Sequence, residues 1–207
     1  MAETASVEVL SEWIREFARV VAATKDQLNA LDAAIGDGDH GTNLDRGLAV
    51  AVSVLDANPA GIVGTLFDQL GQTVINKTGG ATGPLFGTFF RRLGAAVGDT
   101  QDLNSAGLAA GLRAGLEGVV ARGRAEAGDK TMYDALAPAV YALPAEGDLC
   151  VQLRTAFAAA ESGCHATIPM LARKGRASYL GERSVGHQDP GATSVVLLFQ
   201  AAARVMC

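Results

Sequence analysis

The chain has 207 residues, 49% of them hydrophobic and only 5% aromatic, with a formal net charge of −5. That length suits one domain, or at most two small ones, and the apolar content, much of it alanine, is enough for a sizeable core. The acidic balance argues against a nucleic-acid partner, no run of about 18 apolar residues marks a membrane span, and no basic segment leading into an apolar run marks a signal peptide; a cytoplasmic protein is expected.

The apolar spacing is helical almost throughout. Val7, Leu10, Ile14, Phe17 and Val21 recur at intervals of three and four, and Leu28 and Leu31 continue that face until Gly36. A second helix opens near Thr42 or Asn43, both good N-caps, carries Leu44, Leu48, Val52 and Leu55, and ends at Asn58-Pro59. Leu66, Leu70 and Val74 make a third, stopped by Gly79-Gly80. Pro84 suits the first turn of a fourth, with Leu85, Phe86, Phe89, Phe90 and Leu93 behind it. Leu108, Leu112, Leu116 and Val119 predict a fifth helix. A sixth starts near Thr131 with Leu136 and Val140. A seventh runs through Leu153 and Phe157 toward Met170, and the last opens at Asp189-Pro190 and runs through Val195 to Val205. No alternating strand run stands out. The three cysteines, Cys150, Cys164 and Cys207, are too few and too irregularly spaced for a disulfide framework or a zinc site, and read as free thiols.

Glycine and charge concentrate at four helix boundaries: Asp32 with "GDGDHGTN", "GGATGP" from Gly79 to Pro84, "RGRAEAGDKTM" from Arg122 to Met132, and "RKGRASYLGERSVGHQDPGATS" from Arg173 to Ser194. Asp32, Asp37 and Asp39 suit a hard divalent cation with oxygen ligands; a calcium-binding EF-hand loop is not present. The competing reading is a solvated turn with two aspartates as turn formers. "GGATGP" lets backbone N–H groups approach an anion at a helix start, with the Thr82 hydroxyl as a further donor, and lacks the Gly-Lys-Ser/Thr of a Walker loop. Lys130 and Arg176 are candidate cations for a phosphate. Carboxylates, an anion cradle and cations together point to phosphoryl transfer, in which a protein mainly positions groups and neutralises charge. No dedicated acid–base dyad marks His40, His165 or His187.

These four blocks resemble the nucleotide-binding L subunits of bacterial dihydroxyacetone kinases fed by the phosphoenolpyruvate phosphotransferase system, over roughly residues 32 to 199. The resemblance implies an all-α, single-domain barrel of about eight antiparallel helices spanning residues 1–207, with the nucleotide at one end. It implies that Asp32, Asp37 and Asp39 hold two Mg²⁺ ions bridging the phosphates of ADP or ATP. Nucleotide contacts fall on His40, Gly41, Thr42 and Asn43, on Ala81 and Thr82, on Gly123 and Met132, and on Asp189, Pro190 and Gly191. Arg176 joins them as the residue carrying the catalytic role. Where the family often has serine, position 82 is threonine, which keeps the hydroxyl; Gly38 stands where alanine is common.

In that family bound ADP accepts a phosphoryl group from a phosphohistidine on an M subunit, and the ATP formed passes it to dihydroxyacetone held covalently on a K subunit. Alternatives are the nucleotide subunit of an ATP-dependent kinase for another small ketose, such as a tetrulose, or a nucleotide-loaded partner of a transcription regulator. A homodimer is left open.

Overall fold

Polar residues start four of the eight helices, and their side chains close the first turn. The computed structural model describes residues 4–144 and 147–207. Ser6 accepts from Val9 N–H and opens α1 (Val7–Ile35). The next helices are α2 (His40–Ala57), α3 (Val63–Lys77) and α4 (Thr82–Val97). Asn104 caps α5 (Ser105–Gly123), which is followed by α6 (Tyr133–Tyr141). Asp148 caps α7 (Leu149–Ala166) and Asp189 caps α8 (Pro190–Met206), each accepting a backbone N–H three residues on. A 3-10 segment, Arg176–Ser184, lies between α7 and α8.

Each helix packs on its successor, and α8 packs back on α1, so the eight helices close a ring. This is the all-α barrel that the resemblance implies, built from the helices that the spacing predicts. One apolar cluster draws on all eight helices. Its centre is aromatic: Trp13, Phe17, Phe67, Phe86, Phe89 and Phe90 are at most 1% exposed. Phe89 and Phe90 meet edge to face at 5.2 Å. The Trp13 indole N–H donates to Leu198 O at 2.9 Å and fastens α1 to α8. The α3–α4 hairpin is held close by glycine. A Cβ at Gly87 would run into Gly71 O at 2.6 Å, so only a residue without one lets the two backbones approach.

Several boundaries differ from the sequence reading, each for a local reason. Helix α2 begins at His40 because Asp32 Oδ2, from the preceding helix, accepts the Asp39 and His40 N–H groups. Helix α7 stops at Ala166 because the Thr167 hydroxyl turns back to Cys164 O. Two strands were not expected: β1 (Thr4–Ser6) pairs antiparallel with β2 (Asp102–Asn104), Ala5 opposite Leu103. Three residues per strand are too few to show alternation.

The free-thiol reading also needs correcting. Cys150 at the start of α7 is disulfide-bonded to Cys207 after α8, with the Cα atoms 4.9 Å apart, and only Cys164 is a free, buried thiol. Fifty-seven residues of separation hide that pairing in the sequence. The strands and the disulfide lie where α1, α5 and α7 begin and α8 ends. The polar corners gather at the other end of the ring.

Candidate metal and anion site

The last turn of α1 sets out the acidic corner. Asp32 is half-buried, and its Oδ2 accepts from Asp39 N–H at 2.9 Å and His40 N–H at 3.2 Å. The chain leaves the helix at Gly36, where a Cβ would collide with Asp32 Oδ1. Gly38, in a left-handed conformation (φ 77°), then turns the chain so that Asp37 and Asp39 both come back toward Asp32. One carboxylate oxygen from each of the three lies within 4.8 Å of the others. Oxygens about 2.0–2.6 Å from a shared hard cation fall within that spacing, so the donor set fits Mg²⁺ or a similar ion. Asp39 makes no side-chain cap bond to α2, which leaves its carboxylate available.

The corner opens into a cavity of about 590 Å³. The starts of α2, α4 and α8 border it, through His40 and Asn43, Thr82 and Pro84, and Pro190 and Gly191. Three helix N-termini thus turn their positive ends toward one space. Gly79, Gly80 and Ala81 form the turn into α4, with Gly80 left-handed at φ 64°. The opposite wall is apolar: Ile35, Leu85, Phe86, Val119 and Met132 face the same cavity. A polar floor beside an apolar wall suits a ligand with an anionic end and a flat apolar end.

Arg176 reaches the acidic corner from the 3-10 segment. Ile35, Ala172 and Ala177 form a small apolar cluster of their own that seats this segment against the end of α1. From there Arg176 Nη1 lies 2.9 Å from Asp37 Oδ2. Lys174 and Arg122 also line the cavity; both sit in charge-rich blocks where no single cation stands out from its neighbours.

Two groups behave differently from the sequence reading. Lys130 does border the cavity, but it is 1% exposed and its ammonium is spent on backbone carbonyls. Nζ donates to Thr167 O at 2.6 Å and also to Ile168 O and His187 O, and burial lowers its pKa. It ties the α5–α6 connection to the α7–α8 connection rather than standing free for an anion. Thr82 Oγ1 is 3.2 Å from His40 Nδ1, and His40 Nε2 is 2.8 Å from Ser194 Oγ. Ser194 donates its own proton to Pro190 O, so His40 Nε2 is the donor in the second contact. Burial lowers the His40 pKa against the pull of Asp32 and Asp39. In the neutral ring Nδ1 then accepts the Thr82 proton, which is engaged within the protein.

Asp189 is buried and caps α8 through Ala192 N–H at 2.7 Å. Burial pushes its pKa up to about 7, against the opposing hydrogen bond from Ala192. Gly191 fits beside it because a Cβ there would meet Asp189 Oδ2 at 3.0 Å.

Of the residues singled out from the sequence, Asp32, Asp37, Asp39, His40, Asn43, Ala81, Thr82, Gly123, Met132, Arg176, Asp189, Pro190 and Gly191 meet in this one cavity. Gly41 and Thr42 do not line it. Gly41 packs on α1, where a Cβ would meet Leu28 and Asn29. Thr42 N–H and hydroxyl both bond the Asn29 side chain. They anchor α2 to α1. The apolar wall was missed as part of the site because Leu85, Phe86 and Val119 carry helical core spacing, which does not separate a core face from a cavity face.

The DAK2 domain family model matches residues 34–204. The chain is 44% identical over 195 residues to the "PEP-dependent dihydroxyacetone kinase, ADP-binding subunit DhaL" of Escherichia coli (strain K12), covering 92% of this chain and 93% of that one. It is 35% identical over 201 residues to the "PTS-dependent dihydroxyacetone kinase, ADP-binding subunit DhaL" of Lactococcus lactis subsp. lactis (strain IL1403), covering 97% and 98%. Among solved structures it is similar to the dihydroxyacetone kinase of C. freundii in complex with AMP-PNP and Mg²⁺, with a TM-score of 0.73 and 27% identity. That likeness covers 99% of this chain and 35% of the kinase, so the chain spans about a third of that protein's length.

Proposed function

Since this chain belongs to the DAK2 domain family, we propose that it is the nucleotide-binding subunit of a phosphotransferase-dependent dihydroxyacetone kinase. The observation that carries this reading is the meeting in one cavity of three close carboxylates, the turn into α4 and the Arg176 guanidinium. Phosphoryl transfer needs positioning and charge neutralisation more than covalent chemistry from the protein. The names of the E. coli and L. lactis relatives, both ADP-binding subunits, support the ligand.

On this reading Asp32, Asp37 and Asp39 would hold two Mg²⁺ ions, which would supply positive charge to the phosphates of ADP or ATP. Magnesium, when bound there, neutralises the charge on the phosphate oxygens. Asp32 is the fixed ligand, because two backbone N–H groups hold its carboxylate. Asp37 and Asp39, on the connection into α2, would complete the donor set. Backbone N–H groups of the Gly79–Thr82 turn and the positive end of α4 receive phosphate oxygens. The apolar wall of Leu85, Phe86, Val119 and Met132 takes the flat base. Arg176 leans over Asp37 from the exposed side, where it can follow a phosphoryl group that enters or leaves. The donor is a phosphohistidine on an M-type subunit, and the acceptor is dihydroxyacetone on a K-type subunit.

The test is formation of dihydroxyacetone phosphate from phosphoenolpyruvate with the upstream phosphotransferase proteins, this chain, a K-type subunit and an M-type subunit, each of the last three omitted in turn. Sustained product is expected only when all three are present. Sustained product from this chain and ATP alone would overturn the division of labour.

A further inference from the structure

Arg46 lies outside the cavity, on the exposed side of α2, one turn after Asn43. Its guanidinium makes a fork. Nη2 donates to Asn43 Oδ1 at 2.8 Å, and Nε donates to Lys77 O at 3.1 Å. A guanidinium has donors only, so the amide oxygen of Asn43 must face Arg46 and its NH₂ must face away. Asn43 is 7% exposed and borders the cavity. Its amide lies against Gly79, where a Cβ would meet Oδ1 at 2.7 Å and Nδ2 at 3.0 Å. The whole amide, oxygen and NH₂ alike, therefore sits beside the first residue of the turn into α4. Among the described residues Nδ2 donates to no protein acceptor and keeps some access to solvent, so it is free to donate to a ligand. Lys77 is the last residue of α3, so the second arm of the fork grips the chain just before it enters that turn.

We propose that Arg46 is a positioning residue for the bound phosphates: it turns the Asn43 NH₂ toward the anion and anchors the root of the Gly79–Thr82 turn. The role rests on the nucleotide reading above. Without the fork, the amide can rotate about its last bond and present its oxygen, which repels a phosphate. Arg46 is not interchangeable with lysine here, because a single ammonium does not reproduce the planar two-armed geometry.

The experiment is a calorimetric titration of ADP with Mg²⁺ into the parent chain, Arg46→Met, Asn43→Ala and the double variant. Methionine is a good helix former, and circular dichroism checks the fold. One hydrogen bond to an anion lost or misdirected predicts about tenfold or more weaker binding for Arg46→Met. The same substitution in the Asn43→Ala background is expected to cost clearly less than in the parent, because the arm through that amide is already gone and only the arm to Lys77 O remains to be lost. Unchanged binding in Arg46→Met, or an equal loss in both backgrounds, overturns the proposal. In the parent, independently of any variant, the Asn43 side-chain amide protons are expected to shift in ¹⁵N-correlated spectra on adding MgADP; unmoved signals overturn it as well. A parent chain that binds no MgADP sinks the nucleotide reading, and this inference with it.

Discussion

Arg176 Nη1 lies 2.9 Å from Asp37 Oδ2, which joins the 3-10 segment to the acidic corner across the mouth of the cavity. Their side chains are 67% and 37% exposed, so the pair itself contributes at most about 1 kcal/mol to stability. Its importance is placement. A largely exposed cation rests beside one carboxylate of the candidate metal site, on its solvent side.

Arg176→Ala is therefore expected to cut phosphoryl transfer by about tenfold or more, as the loss of one charge-assisted contact of roughly 1.5–3 kcal/mol implies. The melting temperature should fall by no more than about 4 °C. The checks are the omission assay for dihydroxyacetone phosphate and a thermal melt. Unchanged rate and unchanged nucleotide affinity would remove Arg176 from the site.

Asp189 predicts a signed pH dependence. Its carboxyl titrates near 7 in the folded chain and near 4 when unfolded. The folded state therefore holds the proton more tightly, and the contribution to stability is complete below about pH 4. That contribution is lost as pH rises toward 7, with a slope of up to about 1.4 kcal/mol per pH unit. Asp189→Asn keeps an N-cap for α8 but has no proton to lose. Measured by urea unfolding, the variant should gain stability relative to the parent between pH 4 and 7. Parallel curves for the two proteins would contradict this account of Asp189.

Lys130→Met is expected to destabilise rather than to act on the phosphates directly. The substitution strips the donor from the Thr167, Ile168 and His187 carbonyls. A buried group left unsatisfied costs roughly 1–3 kcal/mol, so a loss of about 3 kcal/mol or more is predicted, or about 6–12 °C in melting temperature for a chain of this size. A variant that melts like the parent but binds phosphate poorly would return Lys130 to the role its sequence context suggests.

Much of this molecule is legible in the sequence. Spacings of three and four place all eight helices, because each buries one face in a shared core. The acidic corner is legible because Asp32, Asp37 and Asp39 are close in sequence, and the glycines between them let the chain fold back on the helix end. What escaped depends on distance along the chain. Lys130 looks like a solvated loop cation until the carbonyls of Thr167, Ile168 and His187 arrive from nearly forty to sixty residues away. Cys150 and Cys207 look unrelated until α7 and α8 pack side by side. Thr42 and Thr82 carry the same hydroxyl in similar polar blocks, yet Asn29 holds one outside the cavity while His40 borders it with the other. Arg46 offers no signal at all, since its role comes from the carbonyl of Lys77 and the amide of Asn43.

The central claim is that the cavity holds a magnesium-bound nucleoside diphosphate, and native mass spectrometry of the purified chain, loaded with MgADP and desalted, tests it most directly. The account predicts about one ADP per chain with accompanying Mg²⁺, lost on treatment with EDTA. It predicts the same loss in Asp37→Asn, whose circular dichroism should match the parent. An Asp37→Asn chain that keeps its fold and retains ADP and Mg²⁺ as the parent does, or a folded parent that takes up neither, would contradict it.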